Sequence, residues 1–237
     1  MKTLISPDRK TLSRHAAEAV TNLAEAAVRQ KGRFTLALAG GSTPRRLYEI
    51  LAEDFADRMP WAGVHLFWGD ERYVPHTDAK SNYRMAREAL IDRVPIPADR
   101  VHPMPTAADP DRDAESYARL VDEALAPDGG RFDLILLGLG DDGHTASLFP
   151  GSPALEETRR SVVAAPAPVE PRQRLTLTFP VLNRARHVFF LVSGADKRPA
   201  MACVFGRSGG LAECPAGRVK PDEGELIWWV DVAAALH

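Results

Sequence analysis

Apolar residues in this chain gather in short runs, and between the runs they return at every third or fourth position. The runs RFTLALA (33–39), VHLFWGD (64–70), FDLILLG (132–138), RLTLTF (174–179), HVFFLVSG (187–194) and LIWWVD (226–231) have the length of strands. Between them, Ala16, Val20, Leu23 and Ala27 mark one face of a helix over 13–30, and Ala114, Tyr117, Val121 and Leu125 mark another over 110–125. The segment DAKSNYRMAREALID (78–92) also reads as a helix, with Asp78 as its N-cap. Strands that are apolar throughout and alternate with helices predict an α/β protein whose mostly parallel sheet is covered on both faces. The proline clusters at 94–97, 103–105 and 166–171 read as loops, and no linker or repeat divides the chain, so residues 1–237 are expected to form a single domain.

In such a sheet the ligand site lies beyond the carboxyl ends of the strands. Four strand ends carry chemistry: AGGSTP, GDER, GLGDDGH and SGADK. Gly138, Gly140 and Gly143 have the G-x-G-x-x-G spacing of a dinucleotide turn. That turn must open a long helix, whereas here Pro150, Gly151 and Pro153 stop one within about two turns. Asp141 and Asp142 would also repel a pyrophosphate. The glycines instead suit a sharp turn that presents His144 at the start of a helix. Imidazole titrates in the range that proton transfer near neutrality requires. On the residues alone, His144 reads equally as catalytic or structural. Asp142 stands two positions away, too close in sequence for a direct pair to be assumed, yet placed to shape the field around the ring.

The stretch Gly40-Gly41-Ser42-Thr43 joins a strand to a helix that has Pro44 in its first turn. Free N–H groups and two hydroxyls there would cradle a phosphate or carboxylate. The same residues also read as no more than a capped helix, with Thr43 as N-cap. Arg72 and Lys197 follow strand ends as well. Either alone reads as a solvated cation, but together with the glycines they make a phosphate pocket credible. GRSGG (206–210) fits the nucleophile-elbow pattern around Ser208, but a helical pattern precedes it and a loop follows, so Ser208 is not expected to be a nucleophile.

Composition narrows the partners. Of 237 residues 45% are hydrophobic and 26% charged, with a formal net charge of −2, which gives no basic surface for nucleic acid. An anionic substrate would therefore need a local positive pocket. Cys203 and Cys214 are the only cysteines and have no metal-like spacing, which fits a reducing compartment. The start, MKTLISPDRK, lacks an apolar signal core, and no apolar stretch approaches the ~20 residues of a membrane helix. A cytoplasmic protein with no membrane partner is expected.

Together, AGGSTPRRLYEIL, FWGDERYVPHTDAKSNYRMA, FDLILLGLGDDGHTASLFPG, QRLTLTFPVLNRARHVFFLVSGADK and GELIWWVDVAAA resemble the 6-phosphogluconolactonases, within a wider group that includes glucosamine-6-phosphate deaminase. The resemblance runs from near residue 36 to the C-terminus, and DGHTASLFPG and DERxVPxxxxxSN are its most specific parts. It implies a three-layer α/β/α, Rossmann-like fold. The implied reaction is hydrolysis of 6-phosphoglucono-δ-lactone to 6-phosphogluconate, with no metal or other cofactor. His144 matches the histidine that activates water, Arg72 and Lys197 match the cations on the phosphate, and Gly41, Ser42 and Thr43 match the loop beside it. Asp142 and Asp70 are the candidates to orient His144, and Arg174 is a further substrate contact left unassigned. The expected partner is a phosphorylated sugar lactone, bound by a monomer or weak homodimer. Two alternatives stand beside this. One is a deaminase or isomerase of the same fold, where Asp70-Glu71-Arg72 would be expected to read DEY. The other is a sugar-phosphate sensor without turnover.

Overall fold

The computed structural model describes residues 1–206 and 214–236. At its centre six strands lie side by side: β1 (Lys2–Ser6), β2 (Phe34–Leu38), β3 (Val64–Trp68), β5 (Leu134–Leu137), β8 (His187–Val192) and β9 (Glu225–Asp231). Their order across the sheet is β1-β9-β8-β5-β2-β3, and every neighbouring pair is parallel. All residues of β2 and β5 are buried, as their unbroken apolar runs require of central strands. Helices α1 (Arg9–Lys31), α2 (Ser42–Asp54), α3 (Asn82–Ala89), α4 (Pro110–Leu125), α5 (Phe179–Arg184) and α6 (Arg198–Val204) flank the strands.

A second sheet departs from expectation. β4 (Asp70–Arg72), β6 (Val162–Pro166) and β7 (Gln173–Leu177) form a separate antiparallel sheet in the order β4-β7-β6. RLTLTF is thus a strand, but not of the parallel sheet, and GDER is partly a strand rather than only a strand end. The chain changes sheets at Gly69, whose N–H donates to Leu38 O in one sheet while its carbonyl accepts from Leu177 N beside the other. Both sheets share one apolar core that contains Leu36, Leu134 and Phe190 from the first and Leu175 and Leu177 from the second.

Two helix starts also differ. Helix α3 begins at Asn82 behind Ser81, whose hydroxyl accepts from Arg84 N, while Asp78 instead closes a turn on Lys80 N. Helix α2 has Gly41 as N-cap with no side-chain cap, so Thr43 is not the cap but a buried residue of the first turn. Cys203 and Cys214 are joined in a disulfide with Cα atoms 6.2 Å apart. Ser208 lies outside the described residues. No described helix is long and apolar enough to cross a membrane.

At the edge of the parallel sheet, His65 Nδ1 and His102 Nε2 are 3.2 Å apart, and Arg100 donates to His65 Nε2 at 2.9 Å. The arginine fixes Nε2 as an acceptor, so the pair fits only neutral rings. Burial first, then Arg100, Arg33 and His102, lower the His65 pKa from 6.5 to about 4, with Asp99 opposing. The folded state then holds fewer protons than the unfolded chain between these values. Stability is full above pH 6.5 and falls as the pH drops toward 4. His65→Asn should flatten the fall in melting temperature across that window; an unchanged slope would remove His65 as its source.

Candidate active site

Parallel strands β2 and β5 are neighbours, but the chain leaves β2 toward β3 on one side and β5 toward β8 on the other. A crevice opens beyond the carboxyl ends of strands at such a reversal. Here it holds a cavity of about 360 Å³ lined by Gly40 and Gly41 after β2 and by Gly138 to Asp141 after β5. The Tyr48 hydroxyl donates to Ala39 O and accepts from Ala39 N, pinning the end of β2 immediately before the two glycines. Ser42 and Thr43 follow as the first turn of α2, with backbone N–H groups that no side chain caps.

The loop after β5 is built around His144. Its Nδ1 lies 2.5 Å from Asp142 Oδ1, and its backbone N–H donates to the same oxygen at 3.0 Å. A spacing of two residues thus does allow a direct pair. An aspartate that closes a turn on the N–H two residues ahead also brings its carboxylate to that residue's ring. A Cβ on Gly140 would fall 2.0 Å from His144 Nδ1, so glycine there is the seat of the imidazole. Gly143 adopts φ +82° and abuts Cys214, whose Sγ would lie 2.8 Å from an added Cβ. Phe149 packs on the far side of the ring at 4.3 Å between centroids. No helix follows: residues 145–149 form tight turns, with Ala146 at φ +48°. This corrects the expected helix start and removes the helix that a dinucleotide would need. With Nδ1 held by a carboxylate, the other ring nitrogen is the one available to exchange a proton.

Three cations reach the cavity, Arg72, Arg174 and Lys197. Arg72 and Arg174 are direct cross-strand partners in the β4–β7 pair. Like charges placed opposite each other destabilise a sheet, and an anion between them reverses the sign. Arg174 is 5% exposed, and its Nε and Nη1 are buried with no hydrogen-bond partner. Burial and then the Arg72 charge hold its pKa below the ordinary value, while Asp70, Glu71 and Glu170 oppose. Arg72 Nη1 donates to Lys80 O, and the Lys197 ammonium is paired with Asp141. Asp70, also on the wall, accepts from Ser147 Oγ at 2.7 Å and from Asn82 Nδ2 at 3.2 Å. Among the described residues, no three His, Cys, Asp or Glu side chains are grouped so as to hold a metal ion.

An imidazole oriented by a carboxylate and a pair of arginines, one buried and one half-buried and neither paired with a carboxylate among the described residues, on one reversal of an α/β sheet, suit a small anionic substrate and a proton transfer. Residues 7–228 match the family described as glucosamine-6-phosphate isomerases/6-phosphogluconolactonase. The chain belongs to that family. The 6-phosphogluconolactonase of Synechocystis sp. is 46% identical over 231 residues, 96% of this chain and 94% of that one. The crystal structure of a 6-phosphogluconolactonase from Thermotoga maritima superimposes with TM-score 0.84 at 31% identity, covering 97% of this chain and 99% of the other. A monomeric glucosamine-6-phosphate deaminase shares the fold, with TM-score 0.80 at 21% identity over 99% of this chain and 98% of that one.

In this member of the glucosamine-6-phosphate isomerase/6-phosphogluconolactonase family, His144, Asp70, Arg72, Lys197 and Gly41 all line one cavity. Asp142 touches the cavity only through His144, and Ser42 and Thr43 stand just behind the Gly41 wall. Asp70 makes no hydrogen bond to His144 among the described residues; its partners are Ser147 and Asn82. Sequence reasoning left Arg174 unassigned and passed over Asn82, Ser147 and the seat at Gly140. The usable signal for Arg174 was a lone charge at the head of an apolar alternation, RLTLTF, on a strand that had to be buried.

Proposed function

We propose that this chain hydrolyses 6-phosphoglucono-δ-lactone to 6-phosphogluconate, with His144 activating water and Arg72, Arg174 and Lys197 holding the phosphate. The reading rests above all on one observation: an imidazole held by a carboxylate shares a cavity with two arginines paired across a strand. The high identity to proteins named for this reaction supports it.

The phosphate sits against the arginines and the uncapped start of α2, which fixes the lactone carbonyl near His144. Asp142 accepts from Nδ1–H, leaving Nε2 as the base. Nε2 takes a proton as water attacks the carbonyl carbon, and the carbonyl electrons move onto its oxygen. Thr145 and Ala146 line the cavity on the loop that carries His144, and we assign the backbone N–H of this turn as the donor to that oxyanion. The tetrahedral centre then collapses, the ring C–O bond breaks, and the imidazolium returns its proton to the departing ring oxygen. The products are a hydroxyl and a carboxylic acid, which ionises to solvent. No covalent intermediate and no serine nucleophile are required. Asp70 organises the wall through Ser147 and Asn82 instead of orienting His144.

A deaminase of the same fold would release ammonia from glucosamine-6-phosphate, and a sensor would have no use for the His144–Asp142 pair. The deciding experiment follows acid release from the lactone at constant pH, corrected for spontaneous hydrolysis, beside an ammonia assay on the amino sugar. Enzyme-dependent acid release without ammonia is the expected result. Ammonia release, or binding with no turnover, would overturn the proposal.

A further inference from the structure

Glu71 is the one acidic residue of the DER segment that does not line the cavity, and it is 1% exposed. A carboxylate that deep is unfavourable unless its oxygens are fully occupied, and these are. Oε1 accepts from Arg72 N and Asn82 N, both at 2.7 Å, and Oε2 accepts from Tyr83 N at 2.8 Å and Ser81 Oγ at 3.0 Å. Three of the donors are backbone N–H groups and cannot reverse. The fourth is the Ser81 hydroxyl, which also accepts from Arg84 N at 3.1 Å as the cap of α3. The four donors come from two places in the chain: the strand that carries Arg72, and the first turn of α3 with its cap.

What Glu71 fastens is the geometry of the phosphate rim. Arg72 sends its guanidinium to Lys80 O, one residue before the segment Glu71 holds. Asn82, whose backbone Glu71 grips, wedges its carboxamide between Asp70 and Gly40. It donates to Asp70 O at 2.9 Å and fills the space where a Gly40 Cβ would come within 2.1 Å of Asn82 Oδ1. One buried carboxylate thus joins the Gly40 turn, the Asp70–Arg72 strand and the start of α3. Burial raises the Glu71 pKa, and the N–H groups of Tyr83, Asn82 and Arg72 act against that.

We propose that Glu71 is a positioning residue for phosphate recognition: it sets where Arg72 and Asn82 stand on the rim and touches neither substrate nor His144. This rests on the proposed function, since it assigns a purpose to the rim of that site. Glu71→Gln keeps size and shape but, in either orientation of the amide, turns its N–H₂ toward at least one backbone N–H that has no acceptor to offer. The Michaelis constant for the phosphorylated lactone should rise about tenfold, with kcat changing less. Preference over glucono-δ-lactone, which has no phosphate, should fall by about the same factor, while hydrolysis of the plain lactone stays within about twofold of wild type. A purely structural role would lower the active fraction and reduce both substrates equally.

Ser81→Ala provides the second measurement if Glu71→Gln does not fold. It removes one donor to the same carboxylate and should shift preference the same way by a few-fold. Arg72→Ala and Arg174→Ala run in parallel. Loss of preference in the arginine variants but in neither Glu71→Gln nor Ser81→Ala would overturn the role of Glu71 and leave the phosphate site standing. Unchanged preference in all four would instead remove the phosphate site itself.

Discussion

Replacing His144 by alanine is expected to lower kcat for lactone hydrolysis by ~10²–10⁴-fold, the usual share of a well-placed acid–base group. The geometry makes the loss specific. The ring occupies a seat that glycine at 140 leaves open, and Asp142 Oδ1 fixes Nδ1 from 2.5 Å, so the proton-accepting Nε2 is set by contacts that alanine removes. The substitution deletes a ring that is partly solvent-facing and leaves the apolar core untouched, so the folded protein should survive. Asp142→Asn should cost less, because an amide oxygen can still accept from Nδ1–H while the charge that favours imidazolium is lost. Initial rates on the phosphorylated lactone, with the spontaneous reaction subtracted, check both. Wild-type turnover in folded His144→Ala would end the assignment of the base.

The second large effect concerns the cations. Arg72→Ala, Arg174→Ala and Lys197→Ala should each weaken apparent binding of the phosphorylated lactone by about one to two factors of ten. That follows from ~1.5–3 kcal/mol for a hydrogen bond to a charged group. Some kcat should go too, because remote binding energy positions the carbonyl. Glucono-δ-lactone supplies the contrast: its slow hydrolysis should barely change. Arg174 should lose most, since Nε and Nη1 are already buried without partners, whereas Lys197 must share its ammonium with Asp141. Arg174→Met carries a further signature. It keeps the apolar stem and removes a buried charge that faces Arg72, so in phosphate-free buffer its melting temperature should equal or exceed that of wild type. Equal loss on both lactones would move the cations to the reacting centre and refute the phosphate reading.

Much of the fold was legible because its central strands are buried on both faces and so read as unbroken apolar runs. What escaped was short or at an edge. β1 lies at the sheet margin with four of its five residues exposed, β4 has three residues, and β6 is small-residue VVAAP ending in proline. The antiparallel sheet follows from a change of direction at Gly69 that no local pattern announces. Asp78 was mistaken for a cap because Asp and Ser serve equally well at helix starts, and only the path of the chain picks Ser81. At the site, residues at strand ends were readable one by one. Arg174 opposite Arg72, Asn82 against Gly40 and the Cys203–Cys214 bond are meetings of distant segments, set by register and packing. Asp142 with His144 was local, but a spacing of two does not by itself say whether the carboxylate turns back onto the ring.

The cross-strand pairing of Arg72 and Arg174 also bears on how a turnover ends. If the rim holds the phosphate as proposed, it meets a group untouched by the reaction, the same on the way in and on the way out. Every increment of grip that captures the lactone equally delays the acid, and free inorganic phosphate presents the same oxygens to the same guanidinium groups. A rim of this kind therefore trades capture at low substrate against residence of product. Of the three cations, Lys197 is the one that pairs with a carboxylate among the described residues, so its ammonium can fall back onto Asp141 when the phosphate leaves.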